Sequence, residues 1–227
     1  MLNVNSVKKS IVGYLRGQII SGELRPGQRL NEIALSKQLE VSRPPLREAF
    51  QVLEQEGLVV SISRKGTFVT TVSLDDLNEL YEAREILEIS AIHLLRKKKR
   101  LDLQKLFSFL SESRNVPAFP GEIFEKLLFY REKISDFHVI LLETTGNQRL
   151  IHFYQTIYFN LARYQYMQFS LFPESMTNSL EKHRQILDLL DGQLFEEAEQ
   201  LLQAHIQDAY NHQKIALLKY QETMDNN

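Results

Sequence analysis

Residues 35–58, LSKQLEVSRPPLREAFQVLEQEGL, constrain the fold more tightly than any other stretch of this chain. Leu35 and Leu39 stand four apart with Val41 just beyond them, and Leu46, Phe50 and Leu53 then recur at helical spacing. The pattern predicts two short helices with buried faces, separated by a tight turn. Ser42 falls at the expected N-cap of the second helix, where its hydroxyl could accept from a backbone N–H of the next turn. Pro44 and Pro45 occupy that first turn, where a missing N–H costs little. Arg43 and Arg47 are four apart and so share a different face from the apolar one. An apolar back with an arginine pair in front is the layout of a helix that docks in a DNA groove.

The following residues, LVVSISRKGTFVT, predict a small hairpin: Val59, Val60 and Ile62 on one side, Phe68, Val69 and Thr71 on the other. Gly66 is expected at its tip, where the chain can turn sharply and approach DNA closely, with Arg64 and Lys65 adding charge. Upstream, an amphipathic helix runs from Val7 to Ile20 with Ile11, Leu15 and Ile19 on its buried face. A loop through Arg25, Pro26 and Gly27 then leads to Asn31, placed to cap the next helix. An arginine pair alone reads most simply as a solvated helix face. The capped turn, basic hairpin and leading helix make the combination a winged helix-turn-helix over residues 1–72.

Charge supports that division. Residues 1–73 hold ten Lys or Arg against six Asp or Glu, and the remainder holds seventeen against twenty-three. A basic head on an acidic body suits one domain that meets a polyanion and another that does not. Cysteine is absent, which excludes disulfides, thiolate catalysis and sulfur-ligated metals. No apolar run reaches the roughly 18–20 residues of a membrane span, and MLNVNSVKKSIVG lacks the long apolar stretch of a signal peptide. A cytoplasmic protein is expected.

From residue 73 onward the chain reads as an all-helical bundle of about six helices. The first carries Asp75 and Asp76 in its opening turn and a stripe of Leu77, Leu80, Ala83, Arg84, Leu87 and Ala91. Further helices are expected over about 101–114, 121–144, 147–172, 176–191 and 194–221, with the loop NVPAFPG before the long third one. The basic run from Arg96 to Arg100 reads as favourable charge at a helix C-terminus. Helix 147–172 is unusually aromatic, with Phe153, Tyr154, Tyr158, Phe159, Tyr164, Tyr166, Phe169 and Phe172. Core, subunit interface and cavity lining all remain open for these rings.

All six histidines lie in the body. His138, His183 and His205 sit on three separate helices, each beside apolar neighbours, and could converge on a borderline first-row metal such as zinc. Hydrogen-bonded packing is the plainer reading of each from spacing alone. His93, His152 and His212 are expected to be structural.

The head resembles the winged-helix domain of the GntR family: RPGQRLNEIALSKQLEVSRPPLREAFQVLEQEGLV and KGTFV follow its pattern almost position by position. The body resembles the FCD effector domain of the FadR-like subfamily through YEAREILEISAI, DFHVILLETTGN, EKHRQILDLLDG and the helix carrying AHI. The resemblance implies that Ser42, Arg43, Pro44 and Arg47 lie at the major groove and Arg64, Lys65 and Gly66 at the wing contact. It further implies that His138, His183 and His205 hold a divalent metal, zinc or nickel, and that Arg84, Asn147 and Tyr158 bind the effector; a bundle salt bridge from Arg84 to Glu88 or Glu85, and helix capping by Asn147, are the plainer readings of those two. Three departures are visible. Pro44 replaces a small polar residue, Glu40 replaces the turn glycine, and Ile134 stands where the family places an aspartate ligand one turn before the first histidine. Asp136 is only two residues from His138, on another side of a helix.

The expected function is a ligand-responsive transcription regulator and not an enzyme. Its expected partners are a near-palindromic operator, a small carboxylate or sugar acid, and a second copy of the chain, with no membrane. Two alternatives differ in kind. A DNA binder whose body only dimerises would have no effector or metal, and a metal-dependent enzyme would turn over an organic acid through a metal-bound hydroxide.

Overall fold

The computed structural model describes residues 4–112 and 136–225. They fall into two compact units, one within residues 1–73 and 155–163 and the other within residues 74–154 and 164–227.

The first unit contains α1 (Val4–Ile20), β1 (Arg29–Leu30), α2 (Glu32–Gln38), α3 (Arg43–Gln55), β2 (Val59–Ile62) and β3 (Gly66–Val69). Its core joins Ile11, Leu15 and Ile19 of α1 to Leu35 of α2 and to Leu46, Ala49, Phe50 and Leu53 of α3. The apolar periodicities in the sequence are therefore the buried stripes of the winged helix-turn-helix. Asn31 caps α2 as expected, its side chain accepting from the backbone N–H groups of Ile33 and Ala34.

The loop before Asn31 was expected to be irregular, yet Arg29 and Leu30 form a third strand, and the sheet order is β1-β3-β2. Two residues are too few to show alternation, so only pairing with β3 defines this strand. Ser42 has the extended backbone of an N-cap, but its side chain makes no capping hydrogen bond. The reason is local. The second and third helical residues are Pro44 and Pro45, and neither has an N–H to give. The hairpin turns before Gly66, over residues 63–65: Lys65 N–H donates to Ile62 carbonyl at 3.0 Å, and Arg64 takes φ 62°. Gly66 instead opens β3 at φ 111°, where a Cβ would lie 3.2 Å from Nε of Arg29. Glu40, in the turn between α2 and α3, adopts φ 53°, a conformation that costs a non-glycine residue some strain.

Residues 155–163 belong to this unit through specific polar contacts. Asn160 Nδ2 donates to the Glu56 carbonyl at 2.9 Å, and Arg163 donates to Oγ1 and the carbonyl of Thr70, both at 2.8 Å. Arg16 lies 4.0 Å over the Phe159 ring.

The second unit is built from α4 (Leu74–Arg96), α5 (Gln104–Glu112), α6 (Phe137–Thr145), the flanks of α7 (Gln148–Leu171), α8 (Ser175–Asp191) and α9 (Phe195–Asp225). α4 packs on α6 and α9, and α8 packs on α9 and α5. Asp136 caps α6 by accepting from the His138 N–H, and Asn147 caps α7 by accepting from Arg149 and Leu150. The loop NVPAFPG, most of the helix expected over 121–144, and Ile134 lie outside the described residues. No helix among the described residues is long and apolar enough to cross a membrane.

Candidate functional site

The buried stripe of α4 is Leu77, Leu80, Tyr81, Arg84, Glu88, Ala91, Ile92 and Leu95. Its phase differs slightly from the expected one: Glu88 faces inward and Leu87 is only partly buried. An arginine and a glutamate thus sit one turn apart in an otherwise apolar row. Three other helices aim a histidine from comparable rows. α6 buries His138 with Phe137, Ile140, Leu141 and Leu142, and α8 buries His183 between Leu180 and Ile186. α9 buries His205 beside Leu202 and Ile206. Because each imidazole occupies a core position of its helix, packing the helices brings the rings together.

Nε2 of His183 lies 3.2 Å from Nε2 of His138 and 3.1 Å from Nε2 of His205. One ligand nitrogen from each ring can be chosen so that all lie within 4.8 Å of one another. Phe137 stacks flat on His183, with ring centroids 4.2 Å apart. Nδ1 of His183 is buried with no hydrogen-bond partner among the described residues.

His138 is held from its other side. Its Nδ1 meets a Glu88 carboxylate oxygen at 2.7 Å, and Arg84 Nη2 approaches its Nε2 at 2.7 Å. Glu88 also accepts from Arg84 Nε at 2.8 Å and from the Tyr154 hydroxyl at 3.1 Å. Arg84 Nη1 donates to Tyr81 at 3.3 Å. The side chains of Arg84 and Glu88 are only 3% and 0% exposed, so this pair is desolvated and must be satisfied internally.

Burial works against charge here, and the neighbours decide the outcome. Desolvation pushes the Glu88 carboxyl up, but the His138 imidazole and the Arg84 guanidinium outweigh it and hold the pKa near 2. Burial disfavours a charged Arg84, yet Glu88 raises its pKa, so the guanidinium stays protonated. Burial raises the Tyr81 hydroxyl to about 12. Desolvation, together with the neighbouring imidazoles and Arg84, lowers His183 and His205 well below 6.5. Both are therefore neutral near pH 7, the state in which imidazole is a metal ligand.

The residues fit a divalent metal by two observations. The nitrogens converge, two of them 3.1 and 3.2 Å from the third. Adjacent nitrogen ligands of one ion, at metal distances of about 2.0–2.1 Å, stand roughly 3 Å apart. Glu88 on Nδ1 of His138 would be the outer carboxylate that fixes ring orientation for ligation through Nε2, a nitrogen that Arg84 Nη2 would have to yield. Spacing alone did not reveal Glu88 in this role. Its position four residues after Arg84 on the apolar stripe was the available signal.

Among the other expected site residues, Asn147 uses its amide oxygen to cap α7. Tyr158 belongs to the segment grouped with the first unit and packs edge-on against Phe159 at 5.0 Å. His93 pairs with Glu199, and His212 approaches the Asp208 carbonyl. A cleft of about 190 Å³ opens beside Tyr81 between α4 and α9, lined also by Ile206 and Tyr210 and rimmed by Glu82 and Glu85. That acidic rim disfavours an anion, so Arg84 is the better anchor for one.

In the first unit Arg43 and Arg47 lie exposed on α3, opposite its buried stripe. Arg64 and Lys65 sit at the hairpin turn, and Arg29 stands next to Gly66. Arg29 is a cation the hairpin pattern did not indicate, because strand β1 delivers it from outside the hairpin.

Comparison with known proteins covers both units. Residues 7–69 match the bacterial regulatory proteins of the gntR family, and residues 79–208 match the FCD domain. The Nta operon transcriptional regulator of Aminobacter aminovorans is 31% identical over 193 residues, 85% of this chain and 87% of that protein. The HTH-type transcriptional regulator YdhC of Bacillus subtilis is 26% identical over 203 residues, 89% of each chain. A crystal structure of a GntR transcriptional regulator from Rhodococcus sp. RHA1 superposes with TM-score 0.66 at 27% identity, covering 92% of this chain and 97% of that one.

Proposed function

This chain belongs to the gntR family of bacterial regulatory proteins with an FCD domain, and from that premise we propose that a small organic acid switches its hold on DNA. It is a DNA-binding transcription regulator and not an enzyme. The effector is a small carboxylate or sugar acid, bound where Arg84 meets the three imidazoles. One observation carries this reading: the Arg84 guanidinium, buried and charged, reaches within 2.7 Å of a His138 nitrogen that lies 3.2 Å from Nε2 of His183. His138, His183 and His205 would hold a divalent metal, zinc or nickel, which when bound supplies a Lewis-acidic contact for one end of the acid. Arg84 supplies the other end. A guanidinium donates to a carboxylate in a fixed fork, and burial strengthens the pairing. Glu88 and Tyr81 orient Arg84 from behind through Nε and Nη1, so Nη2 is the donor presented to the imidazoles.

On the DNA side, Arg43 and Arg47 read base edges in the major groove, Ser42 lies beside them, and Arg64, Lys65 and Gly66 form the wing contact. Two copies, paired through the body, would place two recognition helices on a near-palindromic operator. Effector and operator affinities are then reciprocally coupled.

Calorimetry with Zn²⁺, Ni²⁺ and Mn²⁺ on the full chain tests the metal site. Roughly one ion per chain is expected for wild type, with uptake lost in His183→Ala; no uptake of any of the three ions overturns the site. Chelation by EDTA should weaken the binding of small acids, while Arg84→Lys should weaken it even in metal-loaded protein. At the DNA, Arg43→Ala or Arg47→Ala should weaken operator binding and relax preference at the base pair read by about 1–3 kcal/mol. Lys65→Ala should chiefly lower the salt dependence.

A further inference from the structure

The two exposed arginines of α3 share one acidic partner. Oε2 of Glu32 accepts from Arg43 Nε at 3.3 Å, from Arg43 Nη2 at 3.0 Å and from Arg47 Nε at 3.0 Å. Glu32 is itself held in place. It is the first residue of α2, and the Asn31 cap fixes the backbone on either side of it. The turn through Glu40, with its positive φ, then sets α2 and α3 so that the carboxylate falls between the guanidinium groups. Partial burial pushes the Glu32 carboxyl up, but hydrogen bonds and charge from Arg43 and Arg47 outweigh it and leave the group below its ordinary pKa. It is ionised throughout the neutral range.

The way the three donors are used matters. Arg47 reaches Glu32 through Nε alone, so neither terminal nitrogen takes part in the contact. Arg43 uses Nε and one terminal nitrogen, leaving Nη1 outside it. Base edges are read by the terminal fork, as in the paired contact to O6 and N7 of guanine. A carboxylate in this position therefore holds both side chains while leaving the whole terminal fork of Arg47, and Nη1 of Arg43, outside the contact. It also halves the net charge of the cluster, from two positive charges to one. The first effect favours sequence recognition, because two flexible arginines are ordered before DNA arrives. The second weakens attraction to any phosphate backbone.

We propose that Glu32 is a positioning residue for DNA recognition: it clamps Arg43 and Arg47 from their Nε sides, raising base preference while lowering sequence-independent affinity. This rests on α3 being the recognition helix. Without the clamp, the arginines sample more rotamers and meet phosphates as readily as bases.

The test uses full-length protein, duplexes selected from a random library by the wild type, single base-pair variants of those duplexes, and a scrambled duplex. Glu32→Gln keeps the shape but removes the charge. It should bind the scrambled duplex more tightly, steepen the slope of log affinity against log salt by about one, and reduce the ratio of selected to scrambled affinity about tenfold. Glu32→Asp keeps a negative charge at the start of α2 but falls short of the arginines. It should leave the salt slope near wild type and still relax base preference, an outcome that a purely helix-stabilising role would not give. In an Arg43→Ala/Arg47→Ala background, Glu32→Gln should change neither preference nor ratio. A wild-type ratio and wild-type base preference in both Glu32 variants overturns the clamp, as does an equal gain on selected and scrambled duplexes, which would mark Glu32 as a simple competitor. The arginine variants separate the two levels. If they lose operator affinity while the Glu32 variants behave as wild type, only the clamp fails. If they too bind as wild type, the recognition-helix assignment fails with it.

Discussion

The same chemical pair, a glutamate bonded to arginine, is used in two regions of this protein under opposite conditions. On α2 and α3, Glu32 meets Arg43 and Arg47, whose side chains are 52% and 60% exposed. On α4, Glu88 meets Arg84 with both side chains almost wholly removed from water. The exposed cluster contributes little to stability, because water competes for every bond and the long side chains lose entropy when held. Its arginines stay within reach of a partner in solvent while Glu32 holds them. The buried cluster has no such access to solvent. Once desolvated, its charges must be met by Tyr81, Tyr154 and His138, and what the arrangement secures is orientation.

Truncating each acid separates the two clusters most directly. Glu88→Ala strands a buried guanidinium and should cost about 3–5 kcal/mol in urea denaturation, whereas Glu32→Ala should cost less than about 1 kcal/mol. Equal losses would show that burial does not distinguish the two clusters.

A gentler change acts on the orientation of His138. Glu88→Gln keeps the volume but weakens the acceptor on His138 Nδ1, and should lower metal affinity about 10–100-fold by calorimetry. Glu32→Gln should leave metal affinity unchanged. Loss of metal binding in both would deny the buried pair its specific role in orienting His138.

A smaller effect separates two neighbouring caps within the exposed region. Asn31→Ala removes two cap hydrogen bonds and should cost about 1 kcal/mol of thermal or chemical stability. Ser42→Ala should stay within about 0.5 kcal/mol of wild type, since the prolines after Arg43 leave its hydroxyl nothing to cap. A Ser42 loss as large as that of Asn31 would contradict the geometry of α3.

The smallest effect is in pH. The Glu32 pKa is lowered from 4.5, so its bonds to the arginines are fully present above 4.5 and are lost as pH falls through the lower folded value. The Nε–H resonances of Arg43 and Arg47 should hold steady from pH 7 to pH 5 and move together only below 4.5. Movement between pH 7 and 5 would mean that Glu32 is not their partner.

Much of this arrangement was legible in local pattern. The apolar periodicity of α3 told which face would be buried, and Arg43 and Arg47 followed on the other face. The stripes of α6, α8 and α9 placed His138, His183 and His205 at core positions, and their match to a family pattern suggested that they meet. Other features were hidden for definite reasons. β1 is too short to carry a period, so its pairing and the placement of Arg29 appear only in the sheet. The double proline was read for the bonds it does not need, while its effect on Ser42 depends on which helical positions it fills. Glu88 lies at the edge of a broad stripe, where a small rotation of a long helix decides between it and Leu87.

Local pattern set the types of the longer elements, their buried faces and the chemical groups available on each, because helix and strand periods are properties of a few consecutive residues. Which groups meet is a matter of packing at long range. His183 finds partners 45 and 22 residues away, Arg84 finds His138 across 54, and Glu32 finds its arginines across 11 and 15. Those meetings depend on how helices cross and rotate against one another, which is set by the packing of whole cores and leaves no period in the chain.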